Sequence, residues 1–364
     1  MKKRRGKAGR ILVLLLPFVF CAGAVRLGAY AGECRELKAD MEALRLKNGQ
    51  LEEEIREYED REKEDAGYGA LSVSGTQLCG ETGEPVRLRG ISSHGLAWYP
   101  EYTNYHSLKT LREYGANVLR IAVYPAQNDG YLEKPELNEK LLYSAVENSL
   151  AAGLYTIVDW HVLRDENPLY HLKEAGEFFE KVSGRYGNND KIIYEICNEP
   201  NGDTTYEDIS EYAGQIIPVI RKNAPDAVIL VGMPGFCTTL DEAVENPLPF
   251  ENIMYTYHYY SHISDCQYAK SQISNATGNG IPVFVSEWGF DFSSDTLEKD
   301  AVAMQEFMDF LDNNNISWVN WSLSNKQEAY SFINPEVEAL WGWQEEQLSP
   351  SGRYVAGLLE KESS

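Results

Sequence analysis

Beyond about residue 66 the alternation of apolar and polar positions repeats one theme eight times. Short runs rich in β-branched and aromatic residues recur at Arg89-Ser93, Asn117-Tyr124, Tyr155-His161, Ile192-Glu199, Val228-Met233, Ile253-Tyr260, Pro282-Trp288 and Trp318-Ser324. Between them apolar residues fall at helical spacing, as in Leu141, Leu142, Ala145, Val146, Ser149 and Leu150, or Val302, Met304, Phe307, Met308 and Leu311. Strands that are apolar almost throughout, alternating with helices, predict a parallel sheet covered on its outer face. Eight such units over roughly 300 residues predict a closed (β/α)8 barrel, the TIM-barrel architecture, with a short extension. The extension is Leu71-Leu88, where turns at Gly75 and Gly83 predict a hairpin that plugs the bottom of the barrel. An open doubly wound sheet is the competing arrangement, but no glycine-rich dinucleotide fingerprint follows the first strand.

Polar residues interrupt the runs in one consistent place. Arg120, Asp159 and His161, Asn198 and Glu199, His258, Glu287, and Asn320 with Trp321 all stand toward the carboxyl ends of otherwise apolar strands. On a barrel those ends converge on a single face, the face that carries the active site in this architecture.

The pattern at the front of the chain is different. Lys2, Lys3, Arg4, Arg5, Lys7 and Arg10 precede an apolar run from Ile11 to Val25, the arrangement of an export signal. Ala29-Tyr30-Ala31 offers a small-x-small cleavage site, whereas residues 11–31 with Arg26 snorkelling would serve as a retained membrane anchor; both readings place the remainder outside the cytoplasm. Residues 32–66 are acidic, and Leu37, Met41, Leu44, Asn48, Leu51, Ile55 and Tyr58 alternate by four and three, a short heptad seam. The expected organisation is therefore a signal or signal anchor over 1–31, a helical, coiled-coil-like stalk over 32–66 able to self-associate through residues 37–58, and a barrel domain over 67–364.

Composition narrows the function. The 364 residues carry 33 Lys plus Arg against 56 Asp plus Glu, a net charge of -23. Such a surplus repels phosphate backbones and argues against a nucleic-acid partner. Of six cysteines, Cys21 and Cys34 lie in the signal and stalk segments, and Cys79, Cys197, Cys237 and Cys266 show no metal-like spacing. Cys197, inside an apolar run, reads as a buried free thiol. No His-x-x-x-His pair on a helix suggests zinc, and the expected chemistry calls for neither metal nor cofactor.

The strongest chemical signal is a pair of carboxylates. Glu199 stands in Asn198-Glu199-Pro200 and Glu287 in Ser286-Glu287-Trp288-Gly289, so both end barrel strands, the fourth and the seventh. Two carboxyl groups across one cleft suit glycoside cleavage: one protonates the leaving oxygen, and the other attacks the anomeric carbon or activates water. Arg120 on the second strand can hold one of them ionised.

In order and spacing, Gly90-Ile-Ser-Ser-His94-Gly-Leu-Ala-Trp98-Tyr99, Arg120-Ile-Ala-Val-Tyr124, Asp159-Trp160-His161, Asn198-Glu199-Pro200, His258-Tyr259-Tyr260, Ser286-Glu287-Trp288-Gly289 and Asn320-Trp321-Ser-Leu-Ser-Asn-Lys326 resemble glycoside hydrolase family 5, in its bacterial endo-β-1,4-glucanase branch. The resemblance runs from about Leu71 to Leu359. It implies a retaining mechanism with Glu199 as acid/base and Glu287 as nucleophile, acting on a β-glucan such as cellulose or mixed-linkage glucan. It further implies that Arg120 and Tyr260 hydrogen-bond Glu287, that Asn198 meets the 2-hydroxyl of the reacting sugar, and that His161 and His258 shape its site. Trp321 and Trp98 would lie against sugar faces, Lys326 and Glu328 would bind hydroxyls, and His94, Tyr99 and Tyr124 would line or support the cleft. Mannan, xylan or xyloglucan hydrolysis, transglycosylation, and a non-catalytic glucan-binding surface protein are the alternatives. A retaining enzyme requires carboxyl groups about 5 to 5.5 Å apart, against roughly 6.5 to 9.5 Å for an inverting one.

Overall fold

The computed structural model describes residues 67–292 and 297–360. The expected signal, anchor and stalk, and with them Cys21 and Cys34, lie outside the described residues. Among those residues no helix is long and apolar enough to cross a membrane.

Two short strands, β1 (Ser72–Ser74) and β2 (Gln77–Cys79), form an antiparallel hairpin. Eight parallel strands follow: β3 (Arg89–Ser93), β4 (Val118–Val123), β5 (Tyr155–Trp160), β6 (Ile192–Glu195), β7 (Ile229–Val231), β8 (Ile253–Tyr260), β9 (Val283–Gly289) and β10 (Trp318–Leu323). They close into a barrel in sequence order, with β10 pairing β3. Each of the eight predicted runs overlaps one of these strands, β9 running one residue past its run to Gly289. The sixth run, Ile253-Tyr260, matches β8 residue for residue. The displaced end that bears on the site is that of β6, which stops at Glu195, so Glu199 stands four residues beyond the strand, on the loop that follows it.

Two faces of the strands sort into two apolar clusters, as a period of two requires. Outward residues such as Leu119, Ile121, Val158, Tyr194 and Val285 pack with the surrounding helices. Inward residues Val118, Ile157, Ile193, Leu230, Met254, Phe284 and Val319 form a second cluster with Leu71, Leu78, Val86 and Leu88, so the hairpin does close the bottom of the barrel. The strands pack tightly enough to dictate a residue type at one point. A Cβ on Gly90 would lie 1.8 Å from the Val118 carbonyl oxygen, so glycine permits the approach of β3 to β4.

The helices form where the pattern calls for them, and caps fix their starts. Asn104 accepts from the Ser107 N–H ahead of Tyr105–Glu113, Thr205 and Asp208 make a reciprocal capping box ahead of Tyr206–Arg221, and Asp265 accepts from the Tyr268 N–H ahead of Cys266–Gly278. In Leu297–Asn313, Met304, Phe307, Met308 and Leu311 are buried, but Val302 is 61% exposed and leaves the predicted seam. Cys79, Cys197, Cys237 and Cys266 are buried free thiols.

Candidate active site

The inward face of the barrel changes character two residues at a time. Val118 gives way to Arg120, Ile157 to Asp159, Ile193 to Glu195, Met254 to Thr256 and His258, and Phe284 to Ser286. Apolar residues fill the bottom, and a charged layer fills the top, where β-strand geometry aims the side chains into the barrel mouth.

Arg120 is the hub of that layer and is fully buried. Its Nε donates to Glu195 Oε2 (2.6 Å), one Nη to Glu287 Oε2 (2.9 Å), and the other to Asn198 Oδ1 (2.6 Å), with Asp159 Oδ2 at 3.1 Å. Three carboxylates thus surround one guanidinium, whose five fixed donors suit such sharing. Burial alone would push Arg120 toward its neutral form, but Asp159, Glu195 and Glu287 outweigh it and hold the guanidinium charged. Burial drives Asp159 up to about 7 against the pull of Arg120. Glu287 accepts at its second oxygen from Tyr260 Oη (2.7 Å), so both of its oxygens face donors, as a nucleophilic carboxylate needs. The expected contacts of Arg120 and Tyr260 with Glu287 are therefore present.

Glu199 has a different environment. Its Oε1 lies 2.8 Å from His258 Nδ1, its side chain is 13% exposed, and neither Arg120 nor Tyr260 donates to it. Burial first, and the Glu195 charge as well, raise its carboxyl to about 7, with Arg120 opposing. One oxygen of Glu199, one of Glu287 and a ring nitrogen of His258 all lie within 4.8 Å of one another. These are the atoms among the described residues that come closest to a metal cage. The Arg120 guanidinium 2.9 Å from Glu287 repels a cation, and His258 and Glu199 occupy each other.

The histidines and asparagine lock the floor. Asn198 turns its oxygen to Arg120, so its amide nitrogen donates to the Val162 carbonyl (3.1 Å) and faces His161 Nε2 (3.3 Å). That leaves His161 Nδ1 to donate to Asp159 (2.5 Å), and burial keeps the ring neutral. Trp321 stacks on His161 with centroids 5.2 Å apart and planes 20° apart.

Two hollows share Tyr124, Leu163 and Trp321 as a common wall and so make one long groove. The smaller, about 410 Å³, adds His94, Trp98 and Lys326; the larger, about 740 Å³, adds Glu199, His258, Tyr260, Glu287 and Glu328. Lys326 Nζ lies 2.6 Å from Glu328 and 3.1 Å from His94 Nε2. Tyr99 lines neither hollow; it packs edge-on against His94, a supporting contact. Phe236 in the larger hollow was not anticipated: it is 48% exposed and, with Gly235 and Cys237, holds a positive φ after β7. Glu195 and Ser286 were also missed. A charge two residues beyond an inward Ile193 was the available signal for Glu195.

Residues 79–327 match the family described as "Cellulase (glycosyl hydrolase family 5)". The chain is 39% identical over 289 residues to an endoglucanase of Clostridium saccharobutylicum, covering 79% of this chain and 64% of that protein. It is 40% identical over 285 residues to endoglucanase A of Evansella cellulosilytica, covering 78% and 58% respectively. It thus spans less than two thirds of the length of these relatives. Among solved structures, the catalytic domain of a Thermobifida fusca endoglucanase in complex with cellotetraose superposes with a TM-score of 0.75 at 32% identity, covering 81% of this chain and 98% of that one. The barrel, the two carboxylates on its carboxyl-end face and these matches agree: the chain belongs to glycosyl hydrolase family 5, the cellulase family.

Proposed function

We propose that the protein is a retaining endo-β-1,4-glucanase that cleaves internal bonds of cellulose or mixed-linkage glucan, with Glu199 as acid/base and Glu287 as nucleophile. The observation that carries the reading is the carboxylate pair: an oxygen of each lies within 4.8 Å of the other, in environments that differ as the two roles require. An oxygen-to-oxygen approach within 4.8 Å supports the retaining arrangement, in which the two carboxyl groups stand about 5 to 5.5 Å apart.

In the first step the Glu199 proton passes to the glycosidic oxygen while Glu287 attacks the anomeric carbon, and the leaving sugar departs. In the second, water attacks that carbon, gives its proton to Glu199, and releases Glu287. Tyr260 and Arg120 hold Glu287 at the angle of attack. A groove that continues past the carboxylates, with Trp98 and Lys326 on one side and Phe236 on the other, fits a chain bound at an internal bond. The endoglucanase names of the relatives support the same substrate class.

The test is incubation with carboxymethylcellulose, mixed-linkage β-glucan, glucomannan and xylan, with Glu287→Gln as control. Rapid viscosity loss of the first two and initial release of the β-anomer are expected. Equal release by the variant removes Glu287 from its role, and mannan or xylan as best substrate moves the assignment. We also propose that the enzyme works outside the cytoplasm, anchored or released, on the strength of the basic and apolar segment at residues 2–25. Recovery of the full-length chain in the cytosolic fraction alone overturns that.

A further inference from the structure

Behind Glu199 runs a chain of hydrogen bonds that the two-carboxylate chemistry does not itself require. Glu199 Oε1 lies 2.8 Å from His258 Nδ1; His258 Nε2 lies 3.0 Å from Ser286 Oγ; Ser286 Oγ donates to Glu195 Oε1 at 2.7 Å; and Glu195 Oε2 accepts from Arg120 Nε at 2.6 Å. Glu195, Ser286 and His258 are all sealed from solvent. We infer that Ser286 and Glu195 are positioning residues that fix the tautomer of His258 and so keep the catalytic proton on Glu199. The inference rests on the acid/base role proposed for Glu199.

Arg120 can only donate, and a carboxylate paired with it can only accept at both oxygens. The single hydroxyl hydrogen of Ser286 must then point at Glu195, so Ser286 Oγ must accept from the other side. Its neighbour there is His258 Nε2, which therefore carries the ring hydrogen. A neutral imidazole has one, and burial lowers His258 to about 4, so Nδ1 is left with a lone pair. Only a protonated Glu199 can meet a lone pair at 2.8 Å with a hydrogen bond.

The opposite setting is also chemically complete. A proton leaves Glu199 for Nδ1, the Nε2 hydrogen passes to Ser286, and the Ser286 hydrogen passes to Glu195, for a net transfer of one proton between two carboxyl groups. What separates the settings is Arg120. It donates to Glu195 and not to Glu199, which favours the charge on Glu195 and the proton on Glu199. Burial raises the Glu195 carboxyl as well, with Arg120 opposing, so the two groups compete for that proton as a coupled pair. The other groups facing Glu199 are Glu287 on β9, Tyr124 beyond β4 and Tyr260 on β8, with Asp159 on β5 and Cys237 beyond β7. None of these touches His258 Nε2, so none can set its tautomer.

Glu195→Gln reverses the chain without changing its shape. Arg120 takes the amide oxygen, the amide nitrogen donates to Ser286, Ser286 donates to His258 Nε2, and His258 Nδ1–H then donates to Glu199, favouring its carboxylate. The experiment uses the full chain with ¹⁵N-labelled histidine to read the His258 tautomer by NMR, together with the pH profile of kcat/KM on soluble β-glucan, whose alkaline limb reports the free enzyme's essential acid. Expected are an Nε2–H tautomer in the wild type, an Nδ1–H tautomer in Glu195→Gln, and an alkaline limb lower by about one pH unit or more, a roughly tenfold loss on the alkaline side. Ser286→Ala, which changes no charge, lowers the limb in the same direction, and Ser286→Thr, which restores a hydroxyl, returns it. A uniform loss at all pH values with the limb unmoved overturns the inference, as does a limb that falls with the tautomer unchanged, because removal of a nearby charge then explains it. If Glu195→Gln does not fold, the Ser286 pair decides, and a wild-type limb in Ser286→Ala overturns it. A wild type that hydrolyses none of the glycans overturns the functional reading instead, and the tautomer still tests the hydrogen-bond chain.

Discussion

Glu199→Gln should inactivate the protein and, at neutral pH, make it more stable. Glu199 stands among buried groups, and its carboxyl is raised from 4.5 to about 7. An acid whose folded pKa lies above its unfolded value favours the folded state fully below the unfolded value, and that advantage is lost as pH rises through the folded one. A shift of two and a half units at about 1.36 kcal/mol each puts the loss near 3 kcal/mol at pH 7 and above, and near zero at pH 4. Glutamine carries no charge to desolvate. Its amide can still donate to His258 Nδ1, so the hydrogen bond at 2.8 Å survives. Urea unfolding of both proteins, followed by tryptophan fluorescence at pH 4, 6 and 8, measures the difference. The variant is expected to match the wild type at pH 4 and to exceed it by about 3 kcal/mol at pH 8. Asp159 is also raised to about 7, chiefly by burial and in part by the Glu199 charge, so its own loss above neutral pH shrinks in the variant and adds to the gain. A gain of the same size at pH 4 and pH 8, or none at pH 8, refutes the claim that Glu199 is held at the cost of stability.

Three further outcomes follow from the same contacts. Tyr260→Phe removes the 2.7 Å hydrogen bond to Glu287 and should lower kcat by roughly 10- to 100-fold, the worth of a bond to a charged group, with a smaller change in KM. Arg120→Met leaves Asp159, Glu195 and Glu287 without their shared cation; a loss of about 3–5 kcal/mol at pH 7, easing toward pH 4 as Asp159 and Glu195, both raised by burial, take up protons, should appear in urea unfolding. Lys326→Met, in the hollow away from the catalytic pair, should raise KM for short oligosaccharides more than it lowers kcat, and calorimetry with cellotetraose in a Glu287→Gln background should show the weakened binding directly.

How far the site could be read in advance depends on what each residue's signal rested on. Arg120, Asp159 and His258 were legible because a charged or ionisable side chain inside an apolar strand has few homes, and the barrel mouth is one of them. Trp321 was legible from its place toward the end of the last strand, and Trp98 from its place after the first barrel strand. Glu195 was not singled out, because the run around it continues through Ile196 and Cys197 and hides where β6 stops. Ser286 was passed over since a serine in a strand carries no signal of its own. Phe236 sits on a loop whose left-handed turn no periodicity describes.

The sequence by itself determined the barrel. Eight apolar runs with period-two faces, separated by amphipathic helices, leave one economical way to bury both faces of every strand. It also determined which end would carry the chemistry, since Val118 and Arg120, or Ile157 and Asp159, differ in polarity at a spacing that puts them on one face. Only the tertiary structure decided what surrounds each carboxyl group. Glu199 and Glu287 both follow apolar runs, but one meets Arg120 and Tyr260 while the other meets a histidine. Proton affinity depends on neighbours within a few ångströms, and those neighbours come from strands up to 167 positions apart in the chain.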